Sequence, residues 1–262
     1  MRVAKRSFQW AVASADPTNP VSNDALDRYL AAQIVYGSSG RIRPAVMTDR
    51  QIFRAGAIAE FMQPIYTLKA PGRIAYWDGI NYVSTSEAIT AGSLNRSQLY
   101  MIFDDSFEVW VNGNESLSWD VRVGSDLWTL PPYGWVAVGP DSLCVSAMVE
   151  ERRMDFMENP RFTWIDGRNG EGKFRGIACS RGALRIQRRE LDKSEQLDLM
   201  HVGQAETIGI PVERGLSEDS VFVSRIGIAD EDETVRYNLE DRTLSIDVPK
   251  NISRFQVLIH KP

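Results

Sequence analysis

The stretch Gln98–Val123, QLYMIFDDSFEVWVNGNESLSWDVRV, decides the fold class. Its apolar and polar residues alternate in short runs, which turn residues interrupt at Asp104-Asp105 and at Asn112-Gly113. A period of two places successive side chains on opposite faces of a strand, and Asp, Asn and Gly favour tight turns. The stretch therefore predicts antiparallel strands with short connections.

The same pattern continues on both sides of this stretch. RIAYWDGINYVS, Arg73–Ser84, predicts a hairpin because Asp-Gly between alternating strands is a strong hairpin signal. Further short runs, separated by Gly, Asn, Asp and Pro, are LWTL, WVAVG, LCVSAMV, FTWIDG, FRGIACS and ALRIQRR. Many short strands at close spacing predict an antiparallel sandwich or barrel.

Before this region the apolar period is 3.6, which is typical of amphipathic helices. SNDALDRYLAAQIVYG, Ser22–Gly37, offers Ser22 or Asn23 as an N-cap ahead of one apolar face. These helices are too apolar to stand alone and are expected to pack on another surface.

The second predicted helix begins at a capping box. Thr48 and Gln51 form a T-x-x-Q pair, in which each side chain accepts a hydrogen bond from a backbone amide at the helix start. Pro64 is expected to kink or end this helix near Gln63, because proline removes a helical hydrogen bond.

These patterns predict a mainly β protein, with antiparallel β-sandwich domains after a short helical segment. The helical segment covers residues 1–70 and the antiparallel β-sandwich residues 71–190. The charged stretch RRELDKSEQLDLMHVGQAE is expected to link the sandwich to a smaller C-terminal β unit, residues 191–262.

Composition excludes several classes of partner. The net charge of −5 and the pI of about 5.3 give no basic field for nucleic acid or anionic membrane. No run of about 18 apolar residues could span a bilayer. Cys144 and Cys179 lie in apolar runs and are interpreted as small buried side chains, and composition leaves the compartment open.

No motif in the sequence indicates a catalytic residue, a metal ligand or a cofactor. Gly167–Phe174, GRNGEGKF, begins like a phosphate-binding loop, but Phe174 replaces the hydroxyl residue and a strand is expected to follow. His201 and His260 have no Cys or His at ligand spacing; they are interpreted as a linker residue and a chain-end residue. Carboxylates fall mostly at turns, where Asp is favoured locally.

Aromatic residues supply the candidate ligand contacts. The seven tryptophans are Trp10, Trp77, Trp110, Trp119, Trp128, Trp135 and Trp164. Trp110 and Trp135 fit packing within a sheet, whereas Trp128 and Tyr133 flank two prolines and are predicted to lie at an exposed rim that contacts a ligand. The prolines should force the strand out of the sheet, and Gly134 should allow a tight turn.

Five ordered segments carry a resemblance to a known family: YWDG…VSTSEAI, FEVWVNGNESLSWDV, LWTLPPYGWVAVG, VSAMVEERRMDFMENP and FTWIDGR. They resemble the region after the barrel in large (β/α)-barrel glycoside hydrolases, in which β-sandwich domains follow the barrel. The resemblance runs from about Ser14 to Arg189, and the helices before residue 70 look like the last helices of such a barrel.

The resemblance implies a glycosidase-related chain with an incomplete barrel. A barrel needs about 200 residues or more, whereas about 70 precede the sandwich motifs. A truncated gene, a wrongly assigned start or one part of a split enzyme would each explain this. Barrel enzymes hold their catalytic carboxylates at the C-terminal ends of strands, and Asp16 follows such a strand, SFQWAVASADP, as a candidate substrate contact.

The sequence therefore predicts a non-catalytic C-terminal portion of a glycoside-hydrolase-like protein. It would brace a catalytic barrel carried by a partner chain, or hold a glycan. One alternative is a free-standing carbohydrate-binding module that uses Trp128 and Tyr133. Another is a structural or interaction protein that docks on a partner through its N-terminal helices.

Overall fold

The structure is a computed structural model that describes residues 21–37, 44–104, 106–168, 170–204, 206–212, 216–226, 236–240, 242–248 and 254–260. It is mainly β, with antiparallel sheets preceded by a short helical segment, as the sequence predicts. The chain forms two compact units, Met1–Arg153 and Met154–Pro262. This division differs from the boundaries expected after residues 70 and 190.

The helices belong to the first unit. They are α1 (Asn23–Tyr36), α2 (Asp49–Leu68) and α3 (Thr85–Thr90), and short 3-10 turns cover Pro44–Val46, Ser93–Arg96 and, in the second unit, Glu218–Ser220. The N-cap of α1 is Ser22, whose Oγ accepts a hydrogen bond from the Ala25 amide at 3.2 Å. Gly37 ends α1 in the left-handed conformation that glycine favours.

The predicted capping box at the start of α2 is confirmed. The Gln51 amide donates to Thr48 Oγ1 at 3.3 Å, and the Thr48 amide donates to Gln51 Oε1 at 3.0 Å. Pro64 was expected to kink or end this helix near Gln63; the helix does not end there but continues through Pro64 to Leu68. Proline removes one helical hydrogen bond, and burial of Phe61 offsets that loss.

The strands of the first unit are β1 (Pro71–Trp77), β2 (Tyr82–Val83), β3 (Gln98–Phe103), β4 (Phe107–Asn112), β5 (Trp119–Val123), β6 (Asp126–Leu130), β7 (Trp135–Gly139) and β8 (Ser142–Val149). Their order is β2-β1-β3-β4-β7-β8-β6-β5, and neighbouring strands are antiparallel. The predicted β1–β2 hairpin around Asp78-Gly79 is confirmed. The ring of Trp119 on β5 lies 6.4 Å from that of Trp77 on β1, so side chains from both ends of the strand order meet.

The helices cover one face of this sheet. On one face α1 packs on β4, and the Phe61 ring of α2 lies 6.4 Å from the ring of Phe107. Because side chains alternate along a strand, Glu108 and Trp110 point to the opposite face. The helices therefore share a core with the strands of the first unit.

The strands of the second unit are β9 (Arg152–Glu158, which begins at the unit boundary), β10 (Phe162–Asp166), β11 (Gly172–Phe174), β12 (Ile177–Cys179), β13 (Ala183–Leu191), β14 (Ser194–Val202), β15 (Thr207–Pro211), β16 (Val221–Arg225), β17 (Tyr237–Glu240), β18 (Thr243–Asp247) and β19 (Arg254–His260). Two strand orders occur, β16-β19-β14-β13-β10-β9 and β11-β12-β15-β18-β17, with antiparallel neighbours.

The stretch expected to be a charged linker is a β-hairpin, so that prediction is wrong. Strands β13 and β14 pair along their whole length, and Arg188 bonds Glu195 across the pair at 2.9 Å. The charged residues alternate with buried Leu197 and Leu199 and form the solvated side of the hairpin. His201 is consequently a buried strand residue rather than a linker residue.

Two further interpretations of the sequence are confirmed, the first by burial and the second by secondary structure. Cys144 on β8 and Cys179 on β12 are buried thiols, as predicted. Strand β11 follows the GRNGEG loop directly, also as predicted, so a strand stands where a phosphate-binding loop requires the start of a helix.

Candidate functional site

The structure does not bring together the three residues predicted to contact a ligand, because one is not described, one is buried and one is half-buried. Asp16 lies outside the described residues. Trp128 lies on β6 opposite Val121 of β5, and its side chain is buried at 7% exposure. The expected exposure of Trp128 is therefore wrong, because alternation along β6 turns Leu127 rather than Trp128 to solvent. Tyr133 is half-buried.

The proline corner, Pro131–Gly134, is a tight turn. The Gly134 amide donates to the Pro131 carbonyl at 2.7 Å, Pro132 occupies the second position, and Tyr133 has φ of 58° in the third. This pattern defines a type II turn, in which the third residue is usually Gly or Asn. The left-handed residue is thus Tyr133, whereas Gly134 is required because a Cβ atom would lie 2.7 Å from the Ser146 carbonyl oxygen.

Arg153 holds the proline corner in place. Its two Nη groups donate to the carbonyls of Pro132 at 2.9 Å and Tyr133 at 3.0 Å, and its Nε donates to Ser146 Oγ at 3.0 Å. The same guanidinium lies 3.0 Å from the carboxylate of Asp27 on α1. One side chain therefore joins the corner, β8 and the first helix.

Asp27 is the centre of a buried ion cluster. Its other carboxylate oxygen lies 2.6 Å from Arg54 on α2, and the two side chains are 1% and 2% exposed. The Arg54 guanidinium also stacks over the Trp135 ring at 5.6 Å. A buried charge costs much less free energy when it has an opposite charge and hydrogen bonds. The ion cluster therefore fixes both helices against the strands at the proline corner.

The outer side of Tyr133 is covered by a charged pair. The Arg28 guanidinium lies 5.9 Å from the Tyr133 ring centroid, and Arg28 is 3.4 Å from Glu115. Burial raises the pKa of the Tyr133 hydroxyl, while the charge of Arg28 opposes that rise. Stacking of a ligand on this face of the ring would require the exposed side chain of Arg28 to move away.

A second group of aromatic residues lies on the other face of the sheet and is called the aromatic cluster: Trp77, Tyr82, Tyr100, Trp110 and Trp119. Neighbouring rings are in contact, with centroid distances of 5.1 Å from Trp77 to Tyr82, 5.4 Å from Tyr82 to Tyr100 and 5.0 Å from Tyr100 to Trp110. Trp119 lies 6.4 Å from Trp77. The five rings therefore form one continuous group.

Strand register assembles the aromatic cluster. Trp77 pairs directly with Tyr82 across the β1–β2 hairpin, and Tyr100 pairs directly with Trp110 across β3–β4. Directly opposite residues share a face, and their side chains are close enough for aromatic contact. The hairpin turn is fixed by Asp78, whose carboxylate accepts two backbone hydrogen bonds of 2.7 Å.

Burial differs between the members of the aromatic cluster. Trp110 and Trp119 are 6% and 5% exposed and belong to the core. Trp77, Tyr82 and Tyr100 are half-buried, so part of each residue reaches solvent. The cluster therefore has a buried base and a partly exposed rim, which is called the open rim, and aromatic side chains beside a few polar groups are typical of binding sites.

The polar groups at this rim are hydroxyl and carboxylate groups that can form hydrogen bonds. The Tyr100 hydroxyl donates to Glu108 at 2.8 Å, and burial, followed by this carboxylate, raises the pKa of Tyr100 to about 12. Burial raises the pKa of the Tyr82 hydroxyl, and the nearby Trp110 indole opposes that rise. A phenol hydroxyl can donate one hydrogen bond, so Tyr82 can donate to a ligand. The Tyr100 oxygen can accept.

Two carboxylates of the second unit also lie side by side. Asp155 on β9 pairs in register with Asp166 on β10, and each is 1% exposed. The Arg168 side chain lies 3.5 Å from Asp155, and the Arg168 amide donates to Asp166 at 2.7 Å. Both carboxylates are therefore buried and bonded to Arg168, the second residue after β10.

The aromatic cluster was not singled out from the sequence. Trp110 was predicted to pack within the sheet, and its burial confirms this. The Asp-Gly signal alone would pair Trp77 with Ile80 across a two-residue turn. Tyr82 faces Trp77 because the loop contains the four residues 78–81. The contact with Tyr100 depends on pairing between β1 and β3, which the sequence does not specify.

Comparisons with protein-family models, curated proteins and solved structures gave no match to this chain. Within the described ranges, no group of three or more His, Cys, Asp or Glu side chains is arranged to hold a metal ion. No described helix is long and apolar enough to cross a membrane. The assignment of the candidate site therefore rests on the geometry of its residues.

Proposed function

We propose that this chain is a non-catalytic, glycan-holding β protein and that the aromatic cluster is its binding site. The observation that carries the proposal is the open rim formed by Trp77, Tyr82 and Tyr100 over a buried aromatic base. The proposal agrees with the resemblance of the sequence to the sandwich domains that follow glycosidase barrels.

The chemistry of the rim suits a sugar. The faces of aromatic rings carry partial negative charge, and the C–H groups of a sugar ring carry partial positive charge, so the two attract while both lose contact with water. Sugar hydroxyls need donors and acceptors beside that apolar contact. Tyr82 and Tyr100 offer one of each, and Glu108 is a charged acceptor next to them.

The proposed role is binding rather than hydrolysis. Glycoside hydrolysis uses two carboxyl groups on either side of the scissile bond. At the cluster, Glu108 accepts a hydrogen bond from Tyr100, and the neighbouring Asp78 accepts hydrogen bonds from its own turn. These two acids therefore each accept a hydrogen bond from the protein itself.

The alternative function is docking on a partner protein through the N-terminal helices, and it can be compared with how those helices pack. Leu30 and Ile34 of α1 are fully buried, and Ile58 and Met62 of α2 are 2% and 1% exposed within the first unit. The apolar residues that motivated a docking role thus have packing partners in the same unit. Glycan binding is the function that the open rim favours.

A glycan array tests the proposal. The full chain, Tyr82→Ala and Phe222→Ala are applied to the same array, where Phe222 is a matched control because it is a 54% exposed aromatic residue of the second unit. We expect the full chain and Phe222→Ala to bind the same glycans and Tyr82→Ala to lose them. A blank array, or hits that Tyr82→Ala retains, would contradict the proposal.

A further inference from the structure

We infer that the aromatic cluster takes a single, free oligosaccharide chain rather than the flat surface of a packed polysaccharide. This inference rests on the proposed function and names the physical form of its ligand. Its basis is the relative orientation of the rings and the position of the polar groups beside them.

The rings at the rim do not share a plane. The Trp77 and Tyr82 planes differ by 57°, and the Tyr82 and Tyr100 planes differ by 49°. A flat, rigid surface can lie against several rings only when their faces are coplanar. At these angles no two neighbouring rings of the rim can lie flat on one plane. A flexible chain can rotate about its glycosidic bonds and place successive sugars on differently oriented rings.

The rings are also recessed. Trp77, Tyr82 and Tyr100 are half-buried, and their neighbours Trp110 and Trp119 are buried. A narrow chain reaches half-buried rings more easily than a broad solid surface does, because only part of each residue is exposed.

Polar groups at the rim require a ligand with accessible hydroxyl groups. Glu108 and the oxygen of Tyr100 accept hydrogen bonds, and the Tyr82 hydroxyl can donate one. Chains within a packed polysaccharide use many of their hydroxyls to bond neighbouring chains. A dissolved chain presents its hydroxyls to the protein, and each direct bond replaces one to water.

The test compares dissolved and solid forms of the same sugar. The probes are cellohexaose with microcrystalline cellulose, the chitin hexamer with crystalline chitin, and maltohexaose with granular starch. Calorimetry measures binding to each dissolved hexamer, and co-sedimentation measures binding to each solid. Tyr82→Ala tests the site, and Phe222→Ala is the control for loss of an exposed ring elsewhere.

We expect one dissolved hexamer to bind and its solid partner not to retain the protein. Tyr82→Ala should weaken that binding at least tenfold, and Glu108→Gln should weaken it about tenfold because it removes a charged acceptor. If the protein stays bound to a solid polysaccharide when excess hexamer is added, the inference is overturned. The proposed function, glycan binding, would still stand. Binding to none of the six probes would overturn the inference, and a blank glycan array in addition would overturn the proposed function.

Discussion

The proline corner and the aromatic cluster are both rich in aromatic residues, but the structure uses them differently. At the corner, Trp135 is fully buried under Arg54, and Tyr133 lies beneath Arg28. In the cluster, Trp77 and Tyr82 stay half-buried and contact mainly other rings. Charged side chains lie over ring faces in the first region, whereas the rim of the second consists of half-buried rings that contact one another.

This contrast shows what distinguishes an architectural aromatic group from a candidate binding site. Composition favours the proline corner as the ligand-binding site, because two prolines and three aromatic residues occur within a few positions. In the structure the prolines and Tyr133 form a turn that Arg153 holds through two hydrogen bonds, and a third bond joins Arg153 to Ser146 on β8. We therefore expect changes at the corner to affect stability and changes at the cluster to affect binding.

The largest expected effect is on stability at the corner. Asp27→Ala leaves the buried guanidinium of Arg54 without this carboxylate, and loss of one partner of a buried ion pair costs about 3–5 kcal/mol. Urea denaturation measures the change in the free energy of unfolding. The matched control is Glu115→Ala, which removes an exposed acid and should cost less than about 1 kcal/mol. Equal, small losses in both variants would contradict the structural role of the ion cluster.

The next effect is on binding at the cluster. Tyr82→Ala removes the central ring of the rim and should cost about 2 kcal/mol, or about thirtyfold in Kd. Tyr133→Ala, at the corner, should change Kd by less than about twofold. Calorimetric titration with a glycan found on the array measures both. If Tyr133→Ala causes the larger loss, the ligand contact predicted from sequence at the corner is favoured instead.

A smaller effect concerns the backbone of the corner. Tyr133 has φ of 58°, a conformation that costs a side chain with a Cβ atom about 1 kcal/mol relative to glycine. Both Tyr133→Gly and Tyr133→Ala remove the ring, so their difference isolates the backbone term. Tyr133→Gly should be the more stable of the two by about 1 kcal/mol in urea denaturation. An alanine variant of equal or greater stability would contradict the assignment of a type II turn.

The smallest effect is the alkaline response of the cluster. The pKa of Tyr100 is raised from its ordinary value of 10.0 to about 12, by burial and then by Glu108. Between these values the unfolded chain loses a proton that the folded chain keeps. The stabilisation is therefore complete below about pH 10 and falls as pH rises towards 12. Urea midpoints across this range should fall less steeply for Tyr100→Phe, and an identical slope would show that Tyr100 does not contribute.

Local patterns predicted much of the fold. The N-cap Ser22, the capping box at Thr48 and the hairpin at Asp78-Gly79 each depend on residues a few positions apart, and each is confirmed. The continuation of α2 through Pro64 was missed because burial of its apolar face, a tertiary effect, outweighs one lost hydrogen bond.

The candidate site was harder to predict than the fold. Trp77 and Tyr100 meet only because β3 returns beside β1, and no local signal specifies that pairing. The buried position of Trp128 likewise follows from which face of β6 turns inward. The glycosidase-related origin and the glycan ligand remain proposals that rest on the residues described above.

The most direct test of the central claim locates the ligand without any substitution. Each tryptophan indole N–H gives its own signal in a two-dimensional NMR spectrum, and titration with a bound glycan shows which signals move. The account predicts the largest shifts for Trp77, Trp110 and Trp119 and little change for Trp135 and Trp164, which are fully buried elsewhere. Largest shifts at Trp128 and Trp135, with the cluster unchanged, would contradict it and place the ligand at the proline corner.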